Sequence, residues 1–465
     1  MNPSIQTTTM PEEKFDFKKL LPVFIIVLID LMGMTIIIPL MPLYAASFGA
    51  NVFTIGLLGA IYPLMQFIGA PILGRLSDRY GRKPILLISQ VGTLVGFLLL
   101  GFANSLWMLF LSRFIDGLSG ANIATAQAVI ADSTNEKNRT QGLGLLGAAF
   151  GIGFIIGPVI AFLSLLVTAN DYHAPAFVAA AFSAISILLT WFWLEETLPV
   201  EKRNKVKARV AISLGAMLDA VRLPNVGFLL VLMFAQQIAF GGFEQLLALF
   251  TLNRMGLNAA GNAIIFVFVG VIVVAVQGGF IGPWSRKLGD RRLIYLGLAA
   301  LAVGMVLVSL TPRQPMPNYS QAALQAELSG SGSIRNLEHP TTKNLAVELP
   351  PDNRNGWFGL VWILAAMVPT AVGGAVLHPG INSLLTKRVD LLEVGGILGI
   401  SAAFLSAANA VAPLIGGAIF AVFGPRAPFF LGGLLMAALL WAATRAIKPG
   451  PEEAYLMGTA VPKEG

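Results

Sequence analysis

Cysteine is absent from the 465 residues, which excludes disulfides, thiol catalysis and cysteine metal sites. Charge is scarce as well. Asp, Glu, Lys and Arg make up 12% of the chain, against roughly 25% in an ordinary soluble domain. No phosphate-binding loop is present: Gly151 and Gly153 lie in an apolar helical setting, and the next glycine, Gly157, misses the dinucleotide-loop spacing. No metal, cofactor, nucleotide or covalent chemistry is expected, so any work the protein does must draw on an ion gradient. The opening stretch MNPSIQTTTMPEEKFDFKK has no short apolar region followed by a small-residue cleavage site, so no removable signal peptide is expected.

Apolar residues are abundant instead. They form 56% of the chain, above the 45–50% typical of soluble domains. Twelve runs are long enough for a hydrocarbon core about 30 Å thick: 20–46, 53–74, 85–103, 106–131, 140–167, 174–194, 226–252, 260–284, 291–311, 357–386, 395–423 and 427–446. The 49 glycines suit close helix packing in lipid, whereas a transmembrane barrel would show alternating segments of about ten residues. The expected fold is an all-α polytopic membrane protein with twelve transmembrane helices and the lipid bilayer as its surroundings.

The net charge of +7 is a matter of topology and not a nucleic-acid footprint. With the first tail in the cytoplasm and spans alternating sides, 24 of the 31 Lys and Arg fall in cytoplasmic segments and six outside, with Arg113 inside a span. The positive-inside rule then puts both termini in the cytoplasm. The expected division is a first six-helix half (1–194), a charged cytoplasmic link (195–223), a second half (224–450) with an outer insertion at 312–356, and a cytoplasmic tail (451–465). The halves look like repeats: Gly74, Ser77 and Gly81 meet Gly282, Ser285 and Gly289 at an offset of 208, and Pro158 meets Pro413 at 255. Two parallel six-span halves suggest a substrate site near the midplane between them.

The charged link GRLSDRYGRK (74–83) follows the second span. Gly74 and Gly81 allow a tight turn, Asp78 can face the positive end of a neighbouring helix, and Arg82 can bridge Asp78 to another carboxylate. The stretch resembles the loop signature of the major facilitator superfamily almost position for position, which implies Asp132 as that carboxylate. Gly74, Asp78, Arg79, Gly81, Arg82 and Asp132 are therefore expected to form a conformational latch that favours the state closed on the cytoplasmic side. In the second copy Arg286 stands for Asp78 and Asp290 for Arg82, so a weak or missing latch is expected there. SRFIDGLSGANIATAQAVIADSTNEKNRTQGLGLLGAAFGIGFIIGPVIA (112–161), DLMGMTIIIPLMPLY (30–44) and LEETLP (194–199) resemble the drug:proton antiporter branch, nearest to tetracycline-efflux proteins. That resemblance makes Gly153, Gly157 and Pro158 part of an antiporter-motif helix, expected to be closely packed between the halves.

Ionisable residues inside spans are costly and so mark function by default: Asp30, Arg113, Asp116, Glu244 and His378. At 1.5 Å per residue Asp30 lies about 15 Å deep, within about 5 Å of the depth of Arg113. Burial and a nearby guanidinium then compete over its proton, so Asp30 is the expected proton carrier and Arg113 its regulator. Asp116 is the alternative carrier, or simply neutralises Arg113 on the same helical face. Glu244 can contact a cationic substrate or sit at the outer water boundary, and His378 titrates near neutrality or is a satisfied interior histidine. Gln66, Asn122, Gln127, Gln236, Gln237, Asn382 and Asn409 are candidates to line the cavity. The expected function is non-enzymatic: proton-coupled export of small lipophilic, cationic or zwitterionic compounds by a monomer in a bacterial inner membrane. A lipid or metabolite transporter on the same fold, or a scaffold or receptor, are the alternatives.

Overall fold

A computed structural model of the chain describes residues 17–120, 122–134, 139–203, 214–224, 226–330, 347–389 and 394–448. Among these there is no strand. Span one comprises α1 (Phe17–Ile37) and the short α2 (Met41–Ser47). The expected continuous run is broken at Pro39 and Pro42, since proline removes a donor and drives the residue before it out of helical geometry. Spans two and three are α3 (Val52–Tyr80) and α4 (Arg82–Gly101). The Asn51 side chain caps α3 by accepting from the Thr54 amide at 2.8 Å. Span four is also interrupted, as α5 (Leu106–Ser119) and α6 (Asn122–Ser133), with Gly120 at the break. Spans five and six are α7 (Arg139–Val167) and α8 (His173–Phe192), and α9 (Leu214–Arg222) lies in the link.

The second half begins with α10 (Gly227–Met255). Span eight is α11 (Ala259–Ala275), which passes through a π turn at Val276–Phe280 into α12 (Ile281–Leu288). Then come α13 (Asp290–Ser309), the short α14 (Gln321–Gly330) within the insertion, α15 (Phe358–Thr386), α16 (Val394–Phe423) and α17 (Ala427–Ala446). Ten described helices are long and apolar enough to cross a membrane. With α7 and the broken α5–α6 pair, the twelve helices make two sets of six. Large apolar side chains point outward all round, Phe102, Trp107, Trp191, Phe192 and Trp441 among them, as suits a surface bathed in lipid and not water.

Within the first half α1 packs on α7 and α8, and α4 on α5 and α8. In the second, α13 packs on α15 and α17. The halves meet through α3 against α16 and α7 against α11. The α3–α16 contact gathers toward the face that carries the 312–356 insertion, where Gly56 and Gly59 lie against Pro413 and Gly417 lies against Val52. Toward the opposite face, which carries the 74–83 loop, Gly74 and Gly399 have no neighbour within 4 Å of an added Cβ. These two faces are the insertion face and the motif face. Residues 204–213 of the link, 331–346 of the insertion and 449–465 of the tail lie outside the described residues.

At the insertion face α14 joins the two halves. Leu324 and Leu328 are buried in the main apolar cluster. Between them Glu327 accepts from Asn170 at 3.2 Å and Tyr172 at 3.4 Å in the first half, and from Asn258 at 3.1 Å in the second. Burial raises the Glu327 carboxyl above its ordinary range, and the three donors pull it back. The raised proton affinity means the helix is held most firmly with Glu327 neutral, and its attachment weakens as pH rises above the ordinary carboxylate range. Amide hydrogen exchange over 321–328, corrected for intrinsic rate, should therefore quicken with rising pH. Glu327→Gln should remove that dependence, and Glu327→Ala should quicken exchange at every pH.

Candidate functional site

A small cavity opens among α1, α3, α4 and α5, lined by Asp30, Met34, Tyr62, Thr93, Phe97 and Asp116. Arg113 and Asp116 are three residues apart on α5 and share a helical face, which brings the guanidinium Nη1 to 3.1 Å from the Asp116 carboxylate. Both are almost wholly buried, 6% and 2% exposed. The Arg113 guanidinium also lies over the rings of Tyr62 and Phe97, at 5.8 and 5.7 Å from their centroids, where the ring quadrupoles favour a cation. Across the cavity Asp30 accepts from Gln90 Nε2 at 3.4 Å, and the same nitrogen donates to Ser186 at 2.7 Å. Asp116 of that ion pair and Asp30 thus face one space from different helices. Tyr62, Gln90, Thr93, Phe97 and Ser186 complete the site and were not singled out in the sequence. A neutral polar residue in an apolar run gives little signal until the fold shows what it faces.

The helix that carries Asp30 is held by α7. The hydroxyl of Thr35, five residues beyond Asp30, lies 2.8 Å from the Gly153 carbonyl and 2.9 Å from its own Leu31 carbonyl, and its one proton is shared between them. Gly157 sits directly against Thr35, where any side chain would collide with its hydroxyl. Gly153 and Gly157 therefore fasten α7 to α1 inside the first half. Contact across the halves is made by Gly151, which faces Val274 of α11, and by the Phe154 carbonyl and Ile155 side chain, which meet Gly270. Pro158 lies within the continuous α7.

The other polar candidates divide into separate places. Gln66 donates to the Gly120 carbonyl at 2.9 Å, which satisfies the chain at the break in span four. In the second half Gln236 donates to Gln237 at 3.3 Å, and Gln237 to Asn409 at 2.7 Å. His378 contacts Asn382 at 3.3 Å, and Asn382 accepts from Ser401 at 2.7 Å. Glu244 is half-buried, with no hydrogen bond or ion pair among the described residues. Next to it Gln245 reaches across to Gly59 of α3. Gln127 is exposed on α6, and the Asn122 side chain lies outside the described residues.

At the motif face Gly81 ends α3 and starts α4 with φ of +110°, a backbone region that only glycine enters readily. Arg82 follows, 3% exposed. Its Nη1 contacts Asp78 at 2.5 Å and Ser77 at 2.7 Å, and its Nε contacts Asp132 at 2.9 Å. Glu196, from the start of the link, joins this group, a pairing that its position in the sequence does not reveal. That carboxylate accepts from the Arg82 amide at 2.9 Å and the Leu198 amide at 2.9 Å, and lies 3.7 Å from Arg203. Arg79 is exposed and lies over Tyr80, outside the network. All of these residues belong to the first half or to the start of the link, and their bonds are complete where Gly74 and Gly399 stand without neighbours.

Known proteins share these features. Residues 23–356 match the family model described as Major Facilitator Superfamily. The chain belongs to that superfamily. It is 34% identical to the class B tetracycline resistance protein of Escherichia coli, over 59% of this chain and 69% of that one. It is 28% identical to the class H tetracycline resistance protein of Pasteurella multocida, over 91% and 94%, and 28% identical to multidrug resistance protein 2 of Bacillus subtilis, over 60% and 71%. The solved nucleoside transporter NupG shares the fold, with a TM-score of 0.69 and 11% identity across 93% of this chain and all of that one. As a member of this superfamily the chain is a membrane transporter of small molecules and not an enzyme.

The superfamily's repeated architecture explains a second network, which corrects the expectation of a weak or missing copy. Asp290, 3% exposed, accepts from Ser285 at 2.5 Å, Ser383 at 2.6 Å and Lys387 Nζ at 2.6 Å. Ser77 and Ser285, like Arg82 and Asp290, are 208 residues apart, and Asp132 and Lys387 are 255 apart. The second half therefore keeps the serine and the ion pair with both charges reversed. Lys387 is half exposed and Asp290 buried, so the two partners are not equivalent. Lys387→Met strands a buried carboxylate, at a cost on the order of 1–3 kcal/mol or more, whereas Asp290→Asn leaves a lysine that water can solvate. Thermal unfolding of the solubilised protein should show the larger loss for Lys387→Met, and the reverse order would contradict this account.

Proposed function

We propose that this transporter exports small lipophilic, cationic or zwitterionic compounds of the tetracycline and multidrug kind in exchange for protons. In this reading it is a monomer in a bacterial inner membrane with both termini cytoplasmic, so the motif face is cytoplasmic and the insertion face is outside. The tetracycline and multidrug resistance relatives support the substrate class, and the distribution of Lys and Arg supports the orientation. The single observation that carries the mechanism is the pair of carboxylates at one cavity. Arg113 pairs with Asp116 directly, and Asp30, on a different helix, accepts from the amide of Gln90. Two carboxylates in unlike surroundings take different roles: Asp116 holds the guanidinium in place, and Asp30 binds and releases the transported proton. Because Gly153 and Gly157 fasten α7 to α1 beside Asp30, movement of α7 against α11 between states reaches that carboxylate directly. Substrate and proton then compete for one cavity, which links the two fluxes.

The motif network has a matching role. Its ion pairs lie within one half, so they fix the ends of α3, α4 and α6 as a rigid block, which lets Asp78 meet the start of α16 when the halves close on this side.

Asp30→Asn should abolish uphill, pH-driven accumulation of tetracycline in everted vesicles while tetracycline binding to the purified protein stays measurable. Uphill export with normal pH dependence in that variant would remove Asp30 from the role and turn attention to Asp116. Asp78→Asn should raise thiol labelling of single cysteines placed at the motif-face end of α16, a clean assay because the native chain has none. Unchanged labelling would show that Asp78 takes no part in closure.

A further inference from the structure

Six basic residues lie in segments assigned to the outside, and three of them converge. Arg254 at the end of α10, Arg313 at the start of the insertion and Arg426 before α17 line one cavity with Asn253, Glu348 and Phe423. Two of the guanidiniums are fixed in place. Arg254 donates from Nε and Nη2 to the Thr311 carbonyl at 3.0 and 2.8 Å, and Arg313 donates to the Leu349 carbonyl at 2.9 Å. Arg426 is exposed and its side chain makes no hydrogen bond among the described residues. Arg313 and Arg426 both repel the charge on Arg254.

Among the residues that line the cavity one carboxylate stands against these three charges. Glu348 lies 3.3 Å from Arg313 but its side chain is 83% exposed, and an ion pair so open to solvent contributes little. The cavity thus holds a surplus of about two positive charges, on preorganised guanidiniums whose planar forks match the oxygens of a phosphate. Beside it the surface is apolar, with Val422 and Phe423 at the end of α16 exposed by 73% and 71%. A ligand that fits both features has an anionic phosphate head and an adjoining hydrocarbon tail.

We propose that this cavity is a binding site for the headgroup phosphate of an anionic phospholipid, with an acyl chain lying along Val422 and Phe423. Three cations gathered on a face that otherwise carries few then have a ligand that compensates them. The site is separate from the Asp30 cavity and does not depend on which compound is transported.

Native mass spectrometry of the full chain, titrated with phosphatidylglycerol and with phosphatidylcholine, tests the proposal. Phosphatidylglycerol should bind about tenfold more tightly, because both lipids offer the phosphate but phosphatidylcholine adds a quaternary ammonium that the guanidiniums repel. Arg426→Gln should reduce that preference by about the same factor, and because its side chain is exposed and unbonded the variant should fold. Arg254→Gln should reduce it further. Arg75→Gln, an exposed arginine on the motif face, should leave it unchanged. Equal binding of the two lipids, or an unaltered preference in Arg426→Gln, would overturn the proposal. Displacement of phosphatidylglycerol by millimolar inorganic phosphate, with matching thermal stabilisation by phosphate alone, would assign the site to a free anion and overturn the lipid.

Discussion

The ion pair of Arg113 and Asp116 is the contact on which the first half is built. A guanidinium in the hydrocarbon region cannot remain without compensation, and this one obtains it from a carboxylate on its own helix and from two aromatic faces on neighbouring helices. Those demands fix how α3, α4 and α5 sit together: Tyr62 comes from one, Phe97 from another, and the pair itself from the third. They also require close approach, which small residues supply. Gly96 packs against Asp116, and its carbonyl accepts from Ser112 at 2.8 Å. The break at Gly120, fastened by Gln66, belongs to the same arrangement. The cavity that receives Asp30 is what remains once these contacts are made.

A second constraint acts along α1. The helix must be held firmly enough to place a carboxylate at the cavity, yet it belongs to a protein whose halves change their mutual orientation. Thr35 and the two glycines of α7 meet this by joining α1 to the helix that borders the other half. In the glycine run of α7, Gly153 and Gly157 face α1, while Gly151, the Phe154 backbone and the Ile155 side chain face α11 of the other half. Small residues serve both seams: Gly153 and Gly157 bring α7 against α1 within one half, and Gly56, Gly417 and Gly270 bring backbones together between the halves.

The charge-reversed networks at the motif face show which property of the repeat is retained. Polarity is not: the buried member is a guanidinium in one half and a carboxylate in the other. What persists is a serine one turn before the helix end, a buried charge at the start of the next helix, and its opposite at the end of the span that follows. Each fastens three helix ends, and a buried ion pair does this equally well in either direction, provided hydroxyls satisfy the remaining lone pairs or protons. At the opposite face the insertion contributes α14, whose buried leucines and single glutamate touch both halves.

Much of this was legible in the residues alone. Twelve apolar runs, the asymmetry of Lys and Arg, and the Gly74–Lys83 motif determine a polytopic helical protein of this superfamily, because bilayer thickness and charge cost act on any such sequence regardless of its neighbours. Asp30, Arg113 and Asp116 stand out in sequence for the same reason. Only the tertiary structure decided that Arg113 closes on Asp116, that Tyr62 and Phe97 line the cavity with Gln90 behind Asp30, that Glu196 joins the Arg82 network, and that Asp290 with Lys387 forms a network of opposite polarity. Prolines 39 and 42 and Gly120 mark where two apolar runs become broken helices, and run length alone does not reveal it. Pairings between residues dozens or hundreds of positions apart depend on which helix faces meet, and helical periodicity fixes a face without naming its partner.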